Sequence, residues 1–197
     1  QNKNFHHIIC DLTNFESIPG LLTSLLSKVS KIDLAILNAG ILGPIANMKD
    51  QSLNDLTKVM NINVWANKPI IDALLETVPN TKKVVAISSG AAINGNKGWG
   101  GYSISKAALN MFIKLYASEN KNTAFYSFAP GLIDTPMQDY LCGDELDVSK
   151  FPSAQKLKDA RYTPNMPTAE NAGEILAKGI DELDKLQTGS FADIRKM

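Results

Sequence analysis

The stretch that decides the fold is residues 83–106, KVVAISSGAAINGNKGWGGYSISK. It opens on an apolar, β-branched run over residues 83–88, passes through a loop that carries glycine and asparagine, and takes up helical spacing from Ser103. A short apolar run bounded by turn residues is typical of a buried strand, and apolar residues three and four positions apart are typical of a helix. The stretch therefore predicts one strand–loop–helix unit.

The same unit recurs along the chain. Further strands are predicted at residues 6–10, 33–37 and 123–128, with a weaker one at 190–194, and helical spacing is found at 18–29, 53–78, 103–119 and 169–183. Because strands and helices alternate and the strands are almost wholly apolar, we expect an α/β fold, a doubly wound parallel sheet with helices on both faces. Functional residues then belong at the carboxyl ends of the strands.

Local signals add detail to this pattern. Ser52 with Asp55 resembles a capping box, and Thr168 precedes the last helical stretch as an N-cap. Residues 134–167 hold four of the nine prolines and show no clean period, so we expect a lid-like insertion there. Such a loop at the carboxyl edge of a sheet commonly covers a ligand.

Composition narrows the class of protein. The 197 residues predict a single domain, and 44% hydrophobic with 20% charged residues is typical of a globular protein. Basic and acidic residues balance at 20 each, so no net field favours nucleic acid or a membrane surface, and we expect a small-molecule partner. Cys10 and Cys142 are read as free thiols, no metal site is expected, and without an apolar run of about 18 residues the simplest location is the cytoplasm.

The candidate chemistry begins with Tyr102 and Lys106. Four residues apart at the start of a helix, a phenol and an ammonium share one face and can reach a common ligand. A free phenol has a pKa near 10, and a nearby cation favours the phenolate, so we expect Lys106 to lower the pKa of Tyr102. Ser89, at the carboxyl end of the strand, can donate a hydrogen bond to a carbonyl that gains negative charge, or it is simply a turn residue.

Four motifs in order make the pattern specific. They are Asn38-Ala-Gly40 after a strand, Asn61 in a helix, Ser89 with Tyr102 and Lys106, and Pro130-Gly131. Together they resemble the short-chain dehydrogenase/reductase family, which implies a Rossmann-type fold and an oxidoreductase that interconverts a ketone and an alcohol with NADP or NAD, NADP being preferred.

The resemblance also implies roles for single residues. Ser89 polarises the carbonyl, Tyr102 transfers the proton, Lys106 lowers the tyrosine pKa and binds the nicotinamide ribose, and Asn61, ahead of its neighbour Asn63, holds a water in the proton relay. The remaining cofactor contacts that it implies are Asp11, Leu12, Asn38, Ala39, Gly40, Pro130, Gly131, Ile133 and Thr135. For Asp11 a plain turn or cap role is an equal alternative.

Substrate residues are suggested by a narrower likeness. Gly98-Trp99 and residues 134–138 resemble the sepiapterin reductase and benzil reductase-like members of the family, which implies bulky or vicinal diketones. Trp99 and Met137 are candidate pocket walls, with core packing as the alternative. Asp193 falls where the sepiapterin reductases have a pterin-anchoring aspartate, but a solvated aspartate at a strand end is the favoured interpretation.

The family's opening strand, glycine-rich turn and helix are not found, and no G-x-G-x-x-G pattern occurs in the 197 residues. The resemblance thus implies an N-terminally incomplete domain, and we expect the natural protein to carry a preceding segment; an intact mass near 21.4 kDa would contradict this. In the family's strand order, strands at 6–10 and 33–37 would not touch without that unit.

Two further hypotheses stay open beside the reductase. One is a non-catalytic member or fragment that binds a partner without turnover. The other, epimerisation or dehydration on the same scaffold, is disfavoured because all four catalytic candidates are present. The resemblance also implies a homodimer or homotetramer through the long helices at 53–78 and 103–119.

Overall fold

The computed structural model describes residues 4–144 and 146–197, and in them strands and helices alternate as expected. The strands are β1 (Ala35–Leu37), β2 (Lys83–Ile87), β3 (Ala124–Ala129) and β4 (Phe191–Asp193). The α-helices are α1 (Ile18–Leu26), α2 (Leu53–Met60), α3 (Asn67–Thr77), α4 (Gly100–Glu119), α5 (Pro136–Cys142), α6 (Pro152–Ala160) and α7 (Ala169–Glu182). A π-helical turn spans Asn61–Trp65, and 3-10 turns span Met48–Asp50, Gly90–Ala92, Val148–Lys150, Leu183–Lys185 and Ile194–Lys196.

The four strands form one sheet in the order β1-β2-β3-β4, and every pair is parallel. Ile36 lies beside Val85, and Val85 lies beside Tyr126, so consecutive strands of the chain are neighbours in space. Each connection carries at least one helix, as parallel neighbours require. The α/β fold with a parallel sheet is confirmed.

Helices cover both faces of the sheet because successive strand residues point to opposite sides. Val84 and Ala86 face α3 and α4, whereas Val85 faces α7, and all three are fully buried. Each of the two valines contributes about 1.5 to 3 kcal/mol by leaving water. The first layer also contains Val64, Ile71, Leu74, Leu109, Ile113, Ala117 and Phe125, and the second contains Tyr126, Phe128, Ile180, Leu183 and Ala192.

The helix starts follow the capping signals. The Ser52 hydroxyl accepts from the Asp55 main-chain N–H at 3.1 Å, and the Thr168 hydroxyl accepts from that of Asn171 at 3.3 Å. The helical stretch predicted at residues 53–78 is helical from residue 53 to residue 77, and a π-helical turn within it separates α2 from α3. A π-helical turn keeps the backbone helical, so the sequence pattern predicts helix throughout and does not locate the turn.

The predicted strand at residues 6–10 is wrong for the described part of the chain. These residues have no ladder partner there, and Ile9 is 90% exposed. An apolar run becomes a strand only where a neighbour accepts its main-chain hydrogen bonds. Among residues 4–144 and 146–197, no helix has both the length and the apolar character needed to cross a bilayer.

The segment at 134–167 is more regular than its composition suggests. It contains α5 and α6, and Arg161 ties them to the strand edge by pairing with Asp134 at 3.0 Å and Asp139 at 2.5 Å. Phe151 and Ala154 of this segment are buried together with Trp99 from the loop before α4. The segment therefore packs over the start of α4, where a lid would lie.

Candidate active site

Ser89, Tyr102 and Lys106 meet at the carboxyl end of β2. The strand ends at Ile87, and the Ser89 hydroxyl then accepts from the Ala91 main-chain N–H at 3.1 Å, which starts the 3-10 turn. Helix α4 begins at Gly100, so Tyr102 lies in its first turn and Lys106 one turn later on the same face. Burial raises the pKa of Tyr102, and the Ser89 hydroxyl is near enough to the phenol to offset part of that rise.

Lys106 is buried beneath the tyrosine. The residue is only 3% exposed. Its Nζ donates a hydrogen bond to the Ile87 carbonyl at 2.7 Å and lies 5.7 Å from the centre of the Tyr102 ring. Burial lowers the pKa of Lys106 to about 8. Ile87 is its one hydrogen-bond partner in the described part of the chain, so the amine keeps donors for a ligand.

The pKa of Tyr102 moves the other way from the expectation. Burial raises it, the bond to Ser89 offsets part of that rise, and the charge of Lys106 is not among the causes. The reason is placement, since the ammonium lies over the ring and donates to Ile87 rather than to the phenol oxygen. Tyr102 is thus held protonated at neutral pH, the state that a proton donor needs.

Asn63, rather than the predicted Asn61, connects the helices to the site. Asn63 is fully buried; its Oδ1 accepts from the Ile41 main-chain N–H at 2.7 Å, and its Nδ2 donates to the Ile41 carbonyl and to Ser105 Oγ, both at 2.9 Å. The π-helical turn directs Asn63 to the loop after β1. In the described residues the Asn61 side chain makes no hydrogen bond; its main-chain N–H donates to the carbonyls of Thr57 and Lys58, and its carbonyl accepts from the Ala66 N–H at 2.8 Å.

The loop after β1 brings Asn38, Ala39 and Gly40 to the same edge. A Cβ on Gly40 would lie 3.3 Å from both Asn63 Oδ1 and Lys106 Nζ, so the backbone here passes close to the site. Asn38 and Ala39 are exposed at the strand's carboxyl end. The position fits the expected approach of a ligand to the backbone.

The loop after β3 lies at the same edge of the sheet. Gly131 follows the strand with φ at +79°, a conformation that favours glycine, and Ile133 and Thr135 are half-buried behind it. The main-chain N–H of Asp134 donates to the Pro167 carbonyl at 2.9 Å, which closes the loop against the start of α7.

Asp11 and Leu12 are less closely tied to this group. The Asp11 carboxylate accepts from the main-chain N–H of Thr13 at 2.9 Å and from its hydroxyl at 2.8 Å, which lowers the pKa of Asp11. These are the bonds of a local turn, the alternative that the sequence left open. Leu12 is half-buried beside it.

Trp99 and Met137 belong to an apolar wall next to Tyr102. The Trp99 ring meets the Tyr102 ring edge to face at 6.0 Å and 60°, and its Nε1 donates to Ser153 Oγ of α6 at 2.7 Å. Met137 is partly buried against the same cluster. Both residues therefore pack as core residues do, and they line the side of the site that the 134–167 segment covers.

Asp193 is not the solvated strand-end residue that was favoured. Its side chain is 2% exposed and forms an ion pair with Arg195 at 2.5 Å. The sequence analysis did not identify Arg195, and it ranked Asn63 second to Asn61. For Asn63 the available signal was a second asparagine two positions along in the same helix; for Arg195 the sequence carried none.

The family model for short chain dehydrogenases matches residues 1–145, and the chain belongs to that family. It is 34% identical over 139 residues to an oxidoreductase of Schizosaccharomyces pombe, a match that covers 68% of this chain and 54% of that protein. The chain spans about half the length of the first curated relatives it matches.

Two relatives with named reactions are also similar. Benzil reductase ((S)-benzoin forming) of Bacillus subtilis is 37% identical over 142 residues, covering 65% of this chain and 57% of that protein. Sepiapterin reductase of Bos taurus is 34% identical over 167 residues, covering 81% and 61%.

Solved structures share the fold. A short chain dehydrogenase/reductase of Saccharomyces cerevisiae superposes with a TM-score of 0.84 at 24% identity, covering 98% of this chain and 78% of that one. A short chain dehydrogenase of Escherichia coli CFT073 complexed with NADPH superposes with a TM-score of 0.72 at 21% identity, covering 95% and 73%.

Proposed function

We propose that this protein reduces a ketone or diketone to an alcohol, or runs the reverse reaction, with a nicotinamide cofactor. The observation that carries the proposal is the meeting of Ser89, Tyr102 and Lys106 at the carboxyl end of β2, with the buried amine of Lys106 donating to Ile87 and lying 5.7 Å from the centre of the Tyr102 ring. Two hydroxyls side by side suit one carbonyl oxygen, which each can contact from its own direction.

Each hydroxyl has its own task in the reaction. When bound, the cofactor supplies hydride to the carbonyl carbon. Ser89 donates a hydrogen bond to the carbonyl oxygen as negative charge develops there, and Tyr102 transfers its proton to that oxygen. Because burial raises the pKa of Tyr102, the proton is present at neutral pH.

The residues around Lys106 fit the nicotinamide and ribose half of such a cofactor. Lys106 keeps unused donors for ribose hydroxyls, and Gly40 leaves room beside it where a Cβ would approach Nζ at 3.3 Å. Asn38 and Ala39 would line the adenosine side, residues 130–135 would hold the carboxamide, and Asp11 with Leu12 would contact the adenine. We propose NADP ahead of NAD.

We assign the helix asparagine of the site to Asn63 instead of Asn61. Asn63 fixes Ile41, which follows Gly40, and it binds Ser105, the residue before Lys106. It is therefore a positioning residue that holds the cofactor loop against the catalytic helix.

For the substrate we propose bulky or vicinal diketones. The apolar surface of Trp99 and Met137 next to Tyr102 suits large apolar substituents on a carbonyl. The reactions named for the benzil and sepiapterin reductases that resemble the chain point the same way.

Exposed apolar residues on the long helices support a homodimer or homotetramer. Leu53 is 80% exposed, and Trp65, Met111 and Leu115 are about half exposed, more apolar surface than a single core accounts for.

The test is a panel of diketones, quinones, pterins and steroids mixed with NADPH and, separately, NADH. We expect ketone-dependent oxidation of NADPH by the full-length protein, and Ser89→Ala should reduce its kcat/KM about 10- to 1000-fold. Ser118→Ala, on the exposed end of α4, is the matched control and should change nothing. Cofactor binding without oxidation for any ketone would favour a non-catalytic member of the family.

A further inference from the structure

An ion pair at the carboxyl edge of the sheet plays no part in the reaction described above. Asp193 ends β4 and lies beside Ala129, the last residue of β3, and Arg195 follows two residues later in a 3-10 turn. Arg195 Nε donates to Asp193 Oδ1 at 2.8 Å and Nη2 donates to Oδ2 at 2.5 Å. The guanidinium therefore binds the carboxylate through two parallel hydrogen bonds, which fix the plane of the guanidinium.

The Asp193 carboxylate is fully committed to this pair. Oδ1 also accepts from the Arg195 main-chain N–H at 3.1 Å, and the side chain is 2% exposed. Hydrogen bonds from Arg195 hold the pKa of Asp193 below its ordinary value, so the carboxylate stays ionised and paired. A ligand at this edge does not meet a free carboxylate.

The guanidinium is only half used. The Arg195 side chain is 51% exposed, and the carboxylate takes Nε–H and one N–H of Nη2. A guanidinium has five N–H donors, and the other three have no acceptor in the part of the chain that the structure describes. The polar group that this edge presents outward is thus a donor with a fixed orientation.

Two glycines place the guanidinium next to the reaction centre. A Cβ on Gly90 would lie 2.7 Å from Arg195 Nη2, and a Cβ on Gly131 would lie 3.6 Å from Arg195 Cγ. Arg195 therefore lies between the loop that begins at Ser89 and the loop that follows β3. Since consecutive Cα atoms are 3.8 Å apart, Nη2 is within about 8 Å of the Ser89 Cα.

We infer that Arg195 is a substrate-binding residue that donates hydrogen bonds to a second oxygen of the substrate, a few bonds away from the carbonyl that Ser89 and Tyr102 hold. The preferred substrates are then ketones that carry another oxygen acceptor, a carbonyl or a carboxylate. This inference rests on the proposed function and specifies its substrate class. A free Asp193 would accept hydrogen bonds and so select a substrate with N–H donors, whereas Arg195 donates hydrogen bonds and selects a substrate with an oxygen acceptor.

The experiment uses three ketones that differ at the second position. Deoxybenzoin has one carbonyl, benzil has a second carbonyl in place of its methylene, and benzoylformate has a carboxylate there. Dissociation constants are measured by calorimetry, and kcat/KM is measured with NADPH, for the full-length protein and its variants. Binding is read separately from turnover, so a protein that fails to reduce any ketone still reports on Arg195.

Arg195→Met is the main variant and Lys196→Met is its matched control. Both remove one positive charge from neighbouring exposed residues, but only Arg195 contacts Gly90 and Asp193. Because Arg195→Met leaves a buried carboxylate unpaired, the double variant Asp193→Asn with Arg195→Met removes both charges and guards against a folding defect.

Loss of a hydrogen bond to a charged donor should weaken benzil binding and kcat/KM about 10- to 100-fold in both Arg195 variants, with at most about 3-fold for deoxybenzoin. A comparable loss for benzoylformate extends the acceptor to carboxylates, and a loss for benzil alone restricts it to neutral carbonyls. Equal losses for benzil and deoxybenzoin, an equal effect of Lys196→Met, or no benzil binding by the unmodified protein would overturn the inference.

Discussion

The two ends of the same sheet bury polar side chains in different ways. At the amino end, Thr123 Oγ1 donates to the Thr81 carbonyl and Thr81 Oγ1 donates to the Val78 carbonyl, both at 2.7 Å. Each hydroxyl donor is used by a nearby main-chain carbonyl, so the pair ties strand starts together. At the carboxyl end, Lys106 is equally buried, yet its amine has one acceptor in the described residues and its pKa falls to about 8.

The difference separates Lys106, which we propose to be functional, from the structural pair Thr81 and Thr123. Burial alone does not distinguish them, because Thr81 is 1% exposed and Lys106 is 3% exposed. Unused hydrogen-bond donors and a shifted pKa distinguish Lys106, because the protein has buried its amine without supplying acceptors for all of its donors. The following changes test this contrast between the two ends.

The largest effect is expected for Tyr102→Phe. The substitution keeps the ring contact with Trp99 and removes only the proton donor, so kcat/KM for ketone reduction should fall about 100- to 10,000-fold. Tyr162→Phe is the matched control, because Tyr162 is 84% exposed and contacts Arg161 through its ring alone. Initial rates of NADPH oxidation measure both. Similar rates for the two variants would contradict the role of Tyr102.

Lys106 should make the free energy of unfolding rise with pH above about 8. With a pKa of about 8 in the folded protein, against 10.5 when exposed, the folded state bears the cost of a buried ammonium fully below about pH 8. The unfolded chain binds more protons between these values, so stability rises with pH there. Relative to Lys106→Met, the free energy of unfolding should gain about 2 to 3 kcal/mol between about pH 7 and pH 10.

Urea unfolding of the unmodified protein and of Lys106→Met at several pH values measures this gain. Other titrating groups are common to both proteins and cancel in the difference. Parallel pH profiles would mean that the amine is solvated in the folded state.

The next contrast sets Asn63 against Asn61. Asn63→Ala removes three hydrogen bonds of a fully buried amide and should lower the free energy of unfolding by about 2 kcal/mol. Asn61→Ala removes a side chain with no hydrogen bond in the described residues and should change stability by about 0.5 kcal/mol or less. Only Asn63→Ala should also raise the KM for NADPH, because it releases the loop at Ile41. A larger effect of Asn61→Ala on both readouts would restore the order that the sequence suggested.

The sequence predicted most of the frame and the centre of the site. Strands after residue 30 were placed within about two residues, because short apolar runs between helical stretches have few alternatives in an α/β chain. The Ser52 and Thr168 caps were predicted from the hydroxyl side chains that precede the helices. Ser89 and Tyr102 both follow the carboxyl end of one strand, and the family resemblance grouped them in the sequence.

What the sequence could not predict depends on contacts between distant parts of the chain. The π-helical turn shifts the helix phase, so it decides which of Asn61 and Asn63 faces the loop after β1. The pKa of Tyr102 depends on burial outweighing a nearby charge, and the partner of Asp193 depends on how the chain turns after β4. The periodicity and spacing of residues in the sequence do not show these contacts.

The smallest effect belongs to the amino end. Thr123→Val keeps the shape of the side chain and removes one hydroxyl, which leaves the Thr81 carbonyl without that donor, so unfolding should become easier by about 1 kcal/mol. The kcat/KM for ketones should stay within about 2-fold, since the change lies at the opposite end of the strands from Tyr102. Urea unfolding and NADPH oxidation are measured on the same preparation. A loss of activity above about 5-fold, with the fold intact, would show that the two ends are coupled through β3 and that unused donors alone do not separate structural from functional burial.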